Sequence, residues 1–261
     1  MSVRRFLHQR IEAPVFNCRP HHWYLPDALK IYEFEQVVAG LQPPKKESTG
    51  NGNGNELLDL GCGVGLQSLV LGRRGWAVTG LDADPARIEK ARRRQLSVRG
   101  ADRVTFVAST IEEARLPTGA FDAAVSFCVL EHIPDLESCL AELHRVLKPG
   151  ASVHATVDSL GNVTDPQLRE RHHREYDIYR LFDVASSPSY FEAQGFVVDE
   201  CRAILKGAHA IEALRSGLSP MQLLSHEKVH AVRSLRREDA RVSSDAGVML
   251  LIRMHTQSTD S

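Results

Sequence analysis

Residues 57–65 read LLDLGCGVG: an apolar run broken by one acid, then glycines at every second position. Few architectures can use that order. The run suits a short buried strand, and the glycines permit the positive φ that a tight turn or a close backbone–ligand approach requires. A strand that hands over to a glycine loop and then to a helix opens a βαβ unit, which commits the chain to a mostly parallel sheet.

The rest of the chain extends this pattern. Short apolar runs recur at residues 56–60, 77–81, 104–108, 123–127 and 152–157, with helical segments between most of them. Asp84-Pro85 reads as an N-cap followed by proline at the first helical position, and Gly100 closes that helix. Asp135 caps another, in which Leu136, Leu140, Leu143 and Leu147 form one apolar stripe before Pro149-Gly150. Residues 196–203 and 247–254 read as two later strands, with a short helix at 187–193.

Two stretches break the rhythm. Residues 161–184 are polar and histidine-bearing, and 205–244 are irregular, so both read as insertions above the sheet, at about 159–186 and 205–244. Residues 1–50 are expected to form an N-terminal helical cap and linker, with a helix over 27–41 and then a polar, glycine-rich link, KKESTGNGNGN. The remaining residues, 51–261, would be the main domain.

Composition narrows the partners. Hydrophobic residues make up 43% of the 261, enough for a sizeable core. Lys and Arg number 32 against 33 Asp and Glu, which argues against a dedicated nucleic-acid binder. Five cysteines are scattered with no C-x-x-C pair, and the N-terminus lacks the apolar core of a secretory signal. No apolar run nears the roughly 20 residues needed to cross a bilayer. The expectation is a cytoplasmic protein with no membrane span; its oligomeric state is left open.

The loop itself selects among cofactors. A dinucleotide fingerprint, G-x-G-x-x-G, would need glycine where Leu66 stands, and no lysine follows to make a Walker loop. Asp59 puts a negative charge beside the loop, awkward for a pyrophosphate and acceptable for a cation. The second strand ends in GLDADP, where Asp82 could accept the two hydroxyls of a ribose. S-adenosyl-L-methionine, with a sulfonium, an ammonium, a ribose and no phosphate, meets these terms.

LLDLGCGVG, VTGLDADP, TIEEARLP, FDAAVSFCVLEHIPD and ELHRVLKPGA resemble, in order and spacing, the successive motifs of class I S-adenosylmethionine-dependent methyltransferases. The subgroup is similar to small-molecule enzymes of the ubiquinone-biosynthesis type. The resemblance implies a Rossmann-like, doubly wound, seven-stranded sheet with its last strand antiparallel. It implies that Asp59, Gly61, Cys62, Gly63 and Gly65 surround the methionine part of the cofactor and that Asp82 and Ala83 meet the ribose. Ile111 and Glu112 would meet the adenine, and Phe127 would line the reactive end. The chain departs at Glu112, where many relatives carry aspartate, and at Ala151, where a second glycine is usual.

Methyl transfer to an O–H or a protonated amine benefits from a general base, for which histidine suits neutral pH. His132, after the fourth strand, is the first candidate to touch the acceptor, and His173 in the first insertion the second. No histidine, cysteine or acid cluster has zinc-ligand spacing, so no metal is expected. The activity so implied is transfer of a methyl group to O or N of a small-molecule acceptor. The alternatives are a protein or RNA methyltransferase and a non-catalytic S-adenosylmethionine-binding protein.

Overall fold

The computed structural model describes residues 25, 27–41, 55–216 and 225–258; the glycine-rich link at 45–54 lies outside them. Five parallel strands open the sheet: β1 (Glu56–Leu60), β2 (Ala77–Asp82), β3 (Val104–Ala108), β4 (Phe121–Phe127) and β5 (Leu147–Asp158). With β6 (Phe196–Ile204) and β7 (Met249–Thr256) they make one seven-stranded sheet in the order β3-β2-β1-β4-β5-β7-β6. The last strand is antiparallel, as expected, and it lies between β5 and β6 rather than at an edge.

Successive residues of each strand face opposite sides, and both sides are covered. Leu57, Val78, Phe106, Val125 and Leu251 enter one buried layer with α2 (Leu66–Arg73) and α3 (Pro85–Gln95). Leu58, Ala124, Val153, Leu250 and Ile252 enter the other, under α4 (Leu136–Val146) and α6 (Ser187–Glu192). The caps fall where the sequence puts them. Asp84 Oδ1 accepts from Ala86 N at 2.7 Å, and Asp135 Oδ1 from Ser138 N at 3.1 Å.

One boundary moves. Leu147 was expected in the stripe of α4, but its backbone is extended (ψ 144°) and it pairs with Phe121 as the first residue of β5. A buried leucine at that spacing serves a helix stripe or a strand equally well, and pairing with β4 claims it.

The irregular stretches are largely helical. α5 (Pro166–Tyr176) lies in the first, and α7 (Ala208–Arg215) and α8 (Ser225–Arg241) in the second. Their apolar faces are too narrow to stand out: in PQLRERHHREY only Leu168 and His172 are buried. α8 packs on α1 (Ala28–Ala39), where the Tyr32 hydroxyl donates to Asp239 at 2.7 Å and Arg236 pairs with Glu35 at 2.5 Å. α1 in turn buries Leu29, Ile31, Phe34 and Val37 in the first layer. Strand order reverses between β1 and β4, and the loop at 61–65 opens into that crevice, where ligands of doubly wound sheets bind.

Candidate active site

The glycine loop is held by backbone and by one carboxylate. Cys62 N donates to Leu81 O at 2.7 Å, tying the loop to β2. Asp82, the last residue of β2, accepts from Gly63 N at 2.8 Å through Oδ2 and from Asp84 N at 2.9 Å through Oδ1. Gly63 and Gly65 are both left-handed, with φ of 55° and 79°, for different reasons. A Cβ on Gly65 would stand 2.6 Å from Phe106 Cζ and 2.8 Å from the Ala91 methyl, so no side chain fits. A Cβ on Gly63 would meet nothing within 4 Å: bare backbone faces open space beside the Asp82 carboxylate.

Asp59 lies behind the loop, 1% exposed. Its Oδ2 accepts from the Ser68 hydroxyl at 2.5 Å, while Oδ1 has no partner among the described residues. Burial pushes this carboxyl up to about 7; the Ser68 hydroxyl opposes that, and the Asp82 charge adds to it. The folded-state value therefore exceeds the unfolded value of roughly 4, so the folded chain binds the extra proton between them. Stability from this group is present below about pH 4 and is lost as pH rises towards 7. Urea unfolding at about pH 5 and about pH 8 should show the wild type losing roughly 2–3 kcal/mol more than Asp59→Asn. Equal losses would mean that Asp59 is ionised throughout.

The other adenosine-side candidates separate. Ala83 and Glu112 are exposed, whereas Ile111 is part of the core beneath α4. Phe127 stacks on Phe34 of α1 with ring centres 5.9 Å apart, at the end of β4.

Beyond Phe127 the ends of β4 and β5 meet in a buried polar network. Cys128 adopts a left-handed conformation (φ 53°), unusual for a residue with a side chain, and its Sγ lies 3.2 Å from Glu33 Oε1. The Thr156 hydroxyl donates to the same oxygen at 2.5 Å, and Lys30 pairs with Glu33 at 2.8 Å. Glu131 Oε1 accepts from Asp158 N at 3.0 Å; its Oε2 has no partner among the described residues. Burial, then the Asp158 charge, raises the Glu131 carboxyl. Burial also pushes the Cys128 thiol well up. Cys128, Glu131 and Asp158 place ligand atoms within 4.8 Å of one another, yet each already has a partner in this network.

The histidines divide sharply. His132 is 30% exposed at its side chain, with Nδ1 3.4 Å from Asp177 O and Nε2 3.9 Å from Glu131. His173 is exposed and lines a surface groove with Arg169, Glu170, Arg174 and Leu181. Its neighbour His172 turns inward and sets Nε2 2.6 Å from Asp158 Oδ2. Reading by residue type took His172 and His173 together, ranked His173 ahead, and missed Asp158. A signal existed: Leu168 and His172 are one helical turn apart and so share a face, while His173 lies about 100° round.

Comparison with known proteins places this arrangement. Residues 58–155 match the family described as a methyltransferase domain. The chain is 35% identical over 112 residues to a malonyl-acyl-carrier-protein O-methyltransferase of Serratia marcescens, covering 43% of this chain and 42% of that one. It is 39% identical over 101 residues to a ubiquinone biosynthesis O-methyltransferase of Pseudomonas aeruginosa, covering 38% and 43%. The matched stretch thus spans less than half the length of either relative. The fold is shared more widely. A Streptomyces coelicolor geranyl diphosphate C-methyltransferase, solved with Mg2+, geranyl diphosphate and S-adenosyl-L-homocysteine, superposes with a TM-score of 0.61 at 18% identity, over 87% of this chain and 80% of that one. A Haemonchus contortus phosphoethanolamine N-methyltransferase 2 solved with S-adenosyl-L-methionine gives 0.59 at 18%, over 88% and 57%. Sheet order, loop and matched stretch agree: residues 58–155 match a methyltransferase domain, and the fold is the one these solved structures share.

Proposed function

We propose that this chain binds S-adenosyl-L-methionine in the crevice between the β1 and β2 loops and passes its methyl group to O or N of a small-molecule acceptor. The observation that carries the reading is Gly63. Its backbone faces open space at the switch point of the sheet while its N–H is fixed by Asp82, so a ligand can lie on the loop within reach of a carboxylate. Asp59 lies buried behind that space, and its ionised form would suit a cation and not a pyrophosphate.

When bound, the cofactor supplies a methyl carbon already activated by a positive sulfur. The chain's task is then placement, worth several kcal/mol when the acceptor is aligned with the bond that breaks. In this reading Gly61, Cys62, Gly63 and Gly65 bound the methionine end, Asp82 and Ala83 the ribose, and Ile111 and Glu112 the adenine. Phe127 flanks the reactive end, and His132 stands at the acceptor entrance. The backbone of residues 177–180 lies against the turn that carries His132, where Tyr179 N donates to Glu131 O at 2.9 Å, which supports the first insertion as cover for the acceptor side. A small acceptor agrees with the name of the ubiquinone-biosynthesis relative, and an oxygen acceptor is favoured by the names of both. The four free cysteines among the described residues support a reducing, cytoplasmic setting, and no described helix is long and apolar enough to cross a membrane.

Calorimetry tests the cofactor and labelling tests the transfer. The full chain should bind S-adenosyl-L-methionine and S-adenosyl-L-homocysteine but not NAD, and should label species in a small-molecule extract supplied with methyl-labelled S-adenosyl-L-methionine. NAD binding without S-adenosyl-L-methionine binding would overturn the cofactor assignment. Binding with no labelled small molecule would leave a macromolecular acceptor or a binding protein.

A further inference from the structure

We infer that His172, brought in by the first insertion and held by Asp158, is the general base for the acceptor; this rests on the methyltransferase reading above. The placement is built from both ends. Asp158 is the last residue of β5, beside β4, on the side of the switch point away from the ribose-binding end of β2. α5 starts at its Asp165 cap, which accepts from Gln167 N at 3.0 Å, and one turn in Leu168 anchors it in the core. The next turn on that face is His172, whose Nε2 meets Asp158 Oδ2 at 2.6 Å while its ring packs on Tyr176 at 4.6 Å between centroids. Asp158 is itself fixed through its backbone N–H to Glu131.

The consequence is a defined tautomer. With Nε2–H donated to the carboxylate, the lone pair is on Nδ1, and no described residue bonds that nitrogen. A base oriented through its other nitrogen by a buried acid is the arrangement that activates hydroxyl nucleophiles elsewhere. The competing histidines lack it. His132 is loosely held, His173 faces solvent, and His154 is locked in mid-strand against Val37 O at 3.1 Å. In the step proposed, the acceptor oxygen forms the new O–C bond as the C–S bond breaks with its electron pair left on sulfur. The acceptor's proton goes to Nδ1, leaving an imidazolium against the Asp158 carboxylate until water removes the proton. The groups that tune it are Asp158 from β5, Tyr176 from its own helix, and, behind Asp158, Glu131 and Cys128 from the end of β4 with Glu33 and Lys30 from α1.

The test uses the full chain, His172→Gln and Asp158→Asn, each checked for folding by thermal melting. Nitrogen-15 NMR of the histidines at neutral pH should show the His172 signal as the Nε2–H tautomer, and that signal should change in Asp158→Asn. Labelling of a small-molecule extract should fall about 10²-fold in turnover in His172→Gln, with affinity for S-adenosyl-L-homocysteine within about twofold of wild type. The acid limb of the turnover profile should vanish with it. An Nδ1–H tautomer, or wild-type turnover and acid limb in His172→Gln, would overturn the base assignment alone. No labelling by the wild-type chain would overturn the methyltransferase reading and this inference together. Should His172→Gln fail to fold, the tautomer of the wild-type ring decides the matter.

Discussion

A Gly65→Ala variant is expected to lose roughly 2–5 kcal/mol of stability, whereas Gly63→Ala should remain folded and lose its cofactor. Both positions are left-handed, so alanine costs about 1–2 kcal/mol at either through its backbone alone. The remainder depends on what a Cβ meets. At Gly65 it would lie 2.6 Å from the Phe106 ring and 2.8 Å from Ala91, in a layer where α3 and β3 leave no slack. Such overpacking typically adds 1–3 kcal/mol. Scanning calorimetry should therefore show Gly65→Ala melting roughly 5–15 °C lower, given about 2–4 °C per kcal/mol for a domain of this size. At Gly63 nothing lies within 4 Å, so the melting shift should stay within a few degrees. The new methyl would instead fill the space assigned to the methionine end, and titration with S-adenosyl-L-homocysteine should show affinity reduced by at least about tenfold. Equal melting losses in the two variants would show that backbone strain alone sets the outcome. Unchanged affinity in Gly63→Ala would put the ligand off the loop.

Asp82→Ala should lower affinity for S-adenosyl-L-homocysteine by about 10- to 150-fold, the equivalent of roughly 1.5–3 kcal/mol for charge-assisted hydrogen bonds. Two effects act together. The ribose would lose its acceptor, and Gly63 N and Asp84 N would lose theirs, at 2.8 and 2.9 Å, so the loop would no longer be held in its binding shape. Asp82→Asn separates them. Its one carbonyl oxygen can still serve one of the two backbone donors, so the loop is partly kept while the charge is removed, and an intermediate affinity is expected. Calorimetric titration of the three proteins checks the order. An Asp82→Ala protein that binds as tightly as wild type would mean that the ribose is held elsewhere.

The predictions rest on parts of the chain that were legible to different degrees. The loop at 61–65, Asp82 at the end of β2, the Asp84 and Asp135 caps and the five parallel strands could all be read from residue order. Each is a local device: a φ sign that glycine tolerates, a side chain bonding a backbone N–H two or three residues on, an apolar run of strand length. Long-range placement was not legible in the same way. Nothing in residues 247–254 says that β7 inserts between β5 and β6, since an antiparallel strand of that composition pairs equally well at an edge. Nor could the partnership of Tyr32 with Asp239 be read, because both lie on helices whose buried faces are defined only by each other.

The site divides along the same line. The half proposed for the cofactor follows from one strand–loop–helix unit and a neighbouring strand end, so local sequence determined it. The half proposed for the acceptor is assembled from Glu33 of α1, Cys128 and Glu131 after β4, Asp158 of β5 and His172 of α5, drawn from across the first two-thirds of the chain. In RHHREY either histidine could have faced inward. Only docking of α5 through Leu168 against the sheet turned His172 towards Asp158 and left His173 in solvent, because a polar helix takes its orientation from the surface it packs on.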